Sequence, residues 1–199
     1  MSPRPDVSQV RIDQILTAAT AVFARQGFHD ARMDDIVDES GLSKGALYWY
    51  FKSKDDIISA ILVNLFEREL ADLQHLITDE GSASQRIMDF ARHSMEDIKR
   101  MMRILPITYE FYALAFRNTK VRKTLRKYLR NYVEVLLPII RQGIQQAEFR
   151  PVDPKEAAIA LGAVIEGTTL LWVFDREVVD LERDIVSGVS HILEGLRRV

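Results

Sequence analysis

The sequence has no cysteine, few helix breakers (nine glycines and six prolines in 199 residues) and almost no net charge, with 27 Lys and Arg against 29 Asp and Glu. Each shortage excludes something. Without a thiol there is no disulfide framework, no thiolate zinc ribbon and no cysteine nucleophile, and a reducing compartment is permitted. A formal charge of −2 excludes a chain that is basic all over and coats nucleic acid. Residues 1–9 are polar, with Pro3 and Pro5, and offer no apolar signal core. The most apolar stretch, residues 159–174, is shorter than a bilayer requires and holds Glu166. A soluble, cytoplasmic protein without a membrane partner is expected, of one domain or two small ones.

What is present is helical spacing almost throughout. Val10, Ile12, Ile15, Leu16, Ala19, Val22 and Phe23 form one stripe, which Gly27 ends. Short helices are expected around Ile36-Val37 and after Ser43, and a long one opens at Ser53, where Asp55 and Asp56 suit the positive end of the dipole. Ile57, Ile61, Leu62, Leu65, Phe66, Leu70 and Leu73 carry that helix inward. Five more are expected over residues 84–101, 105–116, 120–147 (with Pro138 inside), 154–174 and 180–197. No run alternates as a strand does. The fold class is therefore all-α, about nine helices, with a seam near residue 54: a head over 1–54 and a body over 55–199.

The head carries the sharpest chemistry. Helix, Ser40-Gly41-Leu42 turn and short helix make a helix-turn-helix: Gly41 permits positive φ, and Leu42 and Leu47 anchor against Ile36 and Val37. Such a motif leaves the start of the recognition helix exposed to base edges in a major groove, here Ser43, Lys44, Gly45 and Ala46. Gly45 lets a phosphate approach backbone N–H groups. Tyr48 and Tyr50 offer hydroxyls to phosphate, and Lys52 and Lys54 add charge. The competing reading, a core cluster of Tyr48, Trp49 and Tyr50, is weakened because Leu47 and Phe51 already supply an apolar face. Residues 1–54 hold seven bases and seven acids, so binding through a few placed contacts and a modest salt slope are expected.

The run Ser43-Lys44-Gly45-Ala46-Leu47-Tyr48-Trp49-Tyr50-Phe51-Lys52-Ser53-Lys54 resembles the DNA-binding head of the TetR family of transcriptional regulators, a resemblance that is sharp over about 45 residues and architectural beyond. It implies a bacterial homodimer on near-palindromic operator DNA, with Lys44, Tyr48, Tyr50 and Lys54 at phosphate or groove contacts and Trp49 reading bases or packing on sugar. Two departures bear on the operator sequence. Arg32 stands where the family usually has a capping Thr, and can reach phosphate instead. Ala46 stands where Thr is common. The spacing of Glu148-Phe149-Arg150 and Glu166-Gly167 is similar to that of BetI-like regulators.

The body shows no nucleophile elbow, phosphate loop or zinc-protease motif. No catalytic residue, cofactor or metal is assigned. Asp89, His93 and Asp97 fall four apart on one helix, and read as a solvated face rather than half a metal site. Soft and aromatic residues suit an adaptable pocket for a small, largely apolar effector: Phe66, Met101, Met102, Leu105, Tyr109, Tyr112, Phe116, Tyr132, Leu136, Ile139 and Trp172. Glu110 and Glu166 would pair a cation if buried. Seven bases and no acid between Phe111 and Val133 read as a solvated helix face. Leu161, Ile165, Ile185, Gly188, Val189, Ile192 and Leu196 are expected to join two copies through the last two helices. The expectation is a ligand-released repressor. The alternatives are a nucleoid-occlusion type DNA binder acting through a protein partner, or an enzyme or lipid carrier with a vestigial head.

Overall fold

The computed structural model describes residues 7–78, 81–102 and 105–198, with the backbone alone for 68–78 and 106, so Leu70 and Leu73 lie outside the described side chains. Among the described residues there are nine α-helices: α1 (Val7–Gln26), α2 (Met33–Ser40), α3 (Lys44–Tyr50), α4 (Lys54–Thr78), α5 (Ala83–Arg100), α6 (Leu105–Ala115), α7 (Thr119–Gln145), α8 (Pro154–Phe174) and α9 (Leu181–Leu196). Their ends follow local chemistry. Gly27, at φ +81°, donates its N–H to Phe23 O at 2.8 Å and closes α1. Asp153 caps α8 by accepting from Lys155 N–H at 2.7 Å, with Pro154 next in line. Pro138 lies inside α7.

The chain forms two compact units, residues 1–66 with 103–125 and residues 67–102 with 126–199, so the units do not divide at residue 54. In the first, α1 packs on α2 and α6 over a core that includes Ile15, Val22, Phe23, Ile36, Leu47 and Phe111. Asn118 donates to Asp55 at 2.8 Å, and Lys120 pairs with Asp56. The hydrogen bond from Lys120 holds the Asp56 carboxyl below the usual range, although burial pushes the other way. Part of the basic run thus serves to fasten α7 to α4.

In the second unit α9 packs on both α5 and α8. Five of the seven residues expected to join two copies take part in this packing. Leu161, Ile165, Ile185, Val189 and Leu196 are all buried within the one subunit, and Ile192 is half-buried. Gly188 admits a neighbour from its own chain: a Cβ there would stand 2.6 Å from Val164 Cγ1. The outer side of α8 is apolar instead, with Ile159 51%, Leu171 60% and Phe174 80% exposed. By length and composition α8 is apolar enough to cross a membrane once residues 154–158 are counted, at a mean hydropathy of 1.8, but its inner face is occupied by α9.

The Glu148-Phe149-Arg150 segment is a clasp. After α7 the chain turns through Ala147, a non-glycine at φ +59°. Phe149 then buries its ring where Gly143 has no side chain; a Cβ at 143 would lie 2.4 Å from Phe149 Cδ2. Arg150 donates its N–H to Leu196 O at 2.8 Å and its Nε to Gly195 O at 2.8 Å. Phe149 and Arg197 form the isolated β-bridge. The Glu148 carboxylate accepts from Ala83 N–H at 2.7 Å and Ser84 N–H at 2.8 Å, capping α5 from across the unit. Burial raises the Glu148 pKa, yet these hydrogen bonds outweigh it and hold the group below its ordinary value of 4.5. A depressed carboxyl contributes stability above its unfolded pKa and loses it as pH falls through the folded one. Glu148→Gln should therefore cost about 1 kcal/mol at neutral pH. In thermal melts that difference should shrink below pH 4.5.

Candidate nucleic-acid interface and ligand interior

The first site is built by the turn between α2 and α3. Gly41 takes φ +66° and donates to Val37 O at 3.1 Å. Ser43 Oγ accepts from Ala46 N–H at 3.2 Å and caps α3. Ile36, Leu47 and Phe51 are buried and pin α3 from behind. The opposite side is open: Ser43, Lys44, Gly45, Trp49 and Lys52 are exposed, and Ala46, Tyr48 and Tyr50 are half-buried. A Cβ on Gly45 would meet nothing within 4 Å, so the fold itself does not require glycine there. Trp49 is 70% exposed with Tyr50 edge-on at 4.6 Å, so the two are not a core cluster.

The basic side chains are partly engaged. Lys44 Nζ lies 2.7 Å from Asp34 Oδ1, and that hydrogen bond raises the Lys44 pKa. Lys52 donates to Tyr48 O. Lys54 gives one hydrogen bond to Phe28 O at 2.7 Å and another to His29 O at 2.9 Å, with Nζ 5.0 Å from the Phe28 ring centre. Lys54 is thus chiefly a brace for the segment after α1, a role its position after the motif did not reveal. Arg32 sits at the start of α2 without a side-chain cap; its N–H donates to Asp35 at 2.7 Å, and its side chain is exposed. His29, Arg32, Asp34, Tyr48 and Lys54 surround a shallow cleft of about 520 Å³. A phosphate approaching Lys44 would have to displace Asp34, so Asp34→Asn is expected to raise affinity for duplex DNA several-fold at low salt and little at high salt. Anisotropy titrations across salt concentration would read this directly.

The residues expected to line an effector pocket fall into both units. In the first, Phe66 and Leu105 are buried, and Tyr109 and Tyr112 meet edge-on at 5.7 Å. Phe116 is 83% exposed and lines no interior. Glu110 is exposed too, and accepts Phe28 N–H at 3.0 Å, so it braces the same segment as Lys54. In the second unit Leu136 and Ile139 are fully buried, and Tyr132 stands edge-on to Phe90 at 4.9 Å and tilted to Tyr128 at 6.3 Å. Trp172, with Arg176 4.4 Å from its ring centre, and Met102, an exposed side chain, line instead an open cleft of about 540 Å³ with Lys99, Asp180 and Arg183. Met101 and Glu166 are half-buried.

Residue Asp97 departs from the expected solvated face. Asp89 does stay on it, bonded to Gln85 at 3.0 Å and Arg92 at 3.0 Å, but Asp97 and neighbouring Ser94 are buried. Among the described residues no three His, Asp or Glu groups gather as metal ligands. The cue lay in Phe90, four and seven residues before Ser94 and Asp97, which carries its own face inward.

The chain matches two family models, "Bacterial regulatory proteins, tetR family" over residues 15–61 and "BetI-type transcriptional repressor, C-terminal" over residues 83–196. It is 30% identical over 161 residues to the uncharacterized HTH-type transcriptional regulator YfiR of Bacillus subtilis, covering 77% of this chain and 76% of that one. Among solved structures it resembles the Bacillus subtilis regulator FadR in complex with stearoyl-CoA, with a TM-score of 0.80 at 22% identity, covering 93% and 99% of the two chains. It also resembles a transcriptional regulator from Saccharomonospora viridis in complex with choline, with a TM-score of 0.83 at 21% identity, covering 96% and 100%. These two likenesses carry the fold.

Proposed function

The chain belongs to the TetR family of transcriptional regulators, and from that premise we propose that it is a ligand-released repressor acting as a homodimer on a palindromic operator. The observation that carries the reading is the open side of α3: a helix pinned by Leu47 whose Lys44, Gly45 and Trp49 serve no internal packing. In the complex Ser43 and Gly45 bring the start of α3 against the duplex. Lys44, Tyr48, Tyr50 and Arg32 contact phosphates, and Ala46 and Trp49 meet base edges and sugars. Lys52 adds charge at the rim. Lys54 and Glu110 hold the segment after α1 that supports this surface.

The partner copy covers the exposed apolar side of α8. The effector is a small molecule with a largely apolar body, held in the second unit beside Tyr132, Leu136 and Ile139. The relatives found with stearoyl-CoA and with choline support a ligand-binding body and leave the ligand's class open. Helix α4 runs unbroken from the first unit into the second, which supports it as the lever. A ligand that fits one body conformation shifts α4 and moves the two α3 helices off the groove repeat of about 34 Å. No catalytic step, cofactor or metal enters this proposal.

The test is selection of bound duplexes from a random library. A palindrome with half-site centres about one helical turn apart is expected. Recovery of no motif by a verified dimer at low salt would overturn the reading. With the site in hand, coupling must be reciprocal: operator weakens effector binding by the factor by which effector weakens operator binding.

A further inference from the structure

In the second unit Ser94 Oγ and Asp97 Oδ2 are buried without a hydrogen-bond partner among the described residues. Both residues are more than nine-tenths buried, at 2% and 7% exposure. They follow Phe90 at four and seven positions along α5 and so share the helix face that sets Phe90 against Tyr132 of α7. Tyr128, one turn before Tyr132, extends that aromatic wall. On α8, Gly162 has no side chain where the Tyr132 ring passes; a Cβ there would be 3.0 Å from Tyr132 Cε1. The other Asp97 oxygen pairs with Arg100, whose side chain is 61% exposed. One carboxylate oxygen is therefore paired toward solvent, while the second is buried with no donor to accept from. An ionised carboxylate can only accept, and leaving it without a donor in such surroundings is unfavourable.

Resting on the reading of the second unit as the effector module, we infer that Asp97 and Ser94 recognise the effector's polar group, and that the effector is an amphipathic amine. Its protonated nitrogen donates one N–H to Asp97 Oδ2 and another to Ser94 Oγ, and its apolar body lies against Phe90, Tyr128 and Tyr132. An alcohol supplies a donor but no charge. A carboxylate supplies neither and is repelled. Aromatic faces favour the cation further.

The test is calorimetric titration of the full chain, without DNA, with octylamine, octan-1-ol and octanoate. The amine should bind about tenfold or more tighter than the alcohol, as a charge-assisted bond implies, and octanoate weakest. Asp97→Asn, which keeps shape, should remove the amine's advantage and leave the alcohol unchanged. Arg100→Gln leaves the carboxylate in place and should preserve it. Ser94→Ala should weaken the amine several-fold, which keeps the test decisive if Asp97→Asn does not fold. Amine no tighter than alcohol or octanoate, or unmoved by both Asp97→Asn and Ser94→Ala, would overturn the inference. Operator binding is read separately. Amine bound at Asp97 with no effect on operator would retain this site and sink the regulatory reading. Operator release by octanoate, indifferent to Asp97→Asn, would do the reverse.

Discussion

Gly45→Ala should leave the protein as stable as before, or slightly more so, and remove most of its operator affinity. The first half follows from the empty space around Gly45, where a Cβ meets no atom within 4 Å. Alanine in a helix interior is favoured over glycine by about 0.5–1 kcal/mol, so the melting temperature should hold or rise. The second half follows from what must approach that face. Gly45 lies on the exposed first turn of α3, beside the Ser43 cap and Lys44. A methyl group there stands between the helix backbone and a phosphate or base edge. A cost of about 1.4 kcal/mol at each half-site is tenfold, and two half-sites compound to roughly a hundredfold. Anisotropy with the selected operator and a thermal melt on the same preparation check both halves. Unchanged DNA affinity would mean that the start of α3 does not approach DNA.

The contrast is Gly143→Ala. There the added carbon would stand 2.4 Å from the Phe149 ring and 2.8 Å from Ala83 Cβ. Overpacking of this kind costs about 1–3 kcal/mol, and it acts on the clasp that closes the second unit. On the proposed reading one glycine serves what lies outside the chain, while the other serves what lies inside. Composition does not separate the two.

That difference marks how far the sequence is legible. The nine helices of the described residues can be read from periodicity and caps because those signals are local: Gly27 and Gly41 stop helices, while Asp153-Pro154 starts one. The open side of α3 is equally legible, since a short helix with Leu47 and Phe51 behind it has only one other side to show. Long-range assignments fare differently. Leu161, Ile165, Ile185 and Val189 are apolar at helical spacing, and spacing alone does not say whether the covering helix comes from the same chain or another. Lys54 and Glu110 read as groups for a phosphate or a ligand, yet both bind backbone after α1, more than twenty residues away in sequence. Asp97 reads as one of three spaced polar groups on a wet face. Its burial follows the face that Phe90 carries inward, and charge spacing alone does not report that face.

The outer face of α8 carries the second large effect. Leu171→Glu combined with Phe174→Glu should convert the protein to a folded monomer and reduce operator affinity by about a hundredfold or more, the loss expected when two linked contacts become independent. Both side chains are exposed, at 60% and 80%, so substituting them removes no packing from the single subunit. Exposed substitutions of this kind usually change stability by about 0.5 kcal/mol or less. With Ile159 and Leu170 they are the exposed large apolar side chains of α8, a helix whose inner face packs on α9. A second copy is a fitting cover because a helix face beside a two-fold axis meets itself, and four carboxylates brought together there would repel. Leu161→Ala provides the opposing control. That side chain is buried, so the change should lower the melting temperature by a core-cavity cost of about 2–5 kcal/mol while leaving the dimer intact. Sedimentation at micromolar concentration separates the two outcomes. A doubly substituted protein that still sediments as a dimer would place the interface away from α8.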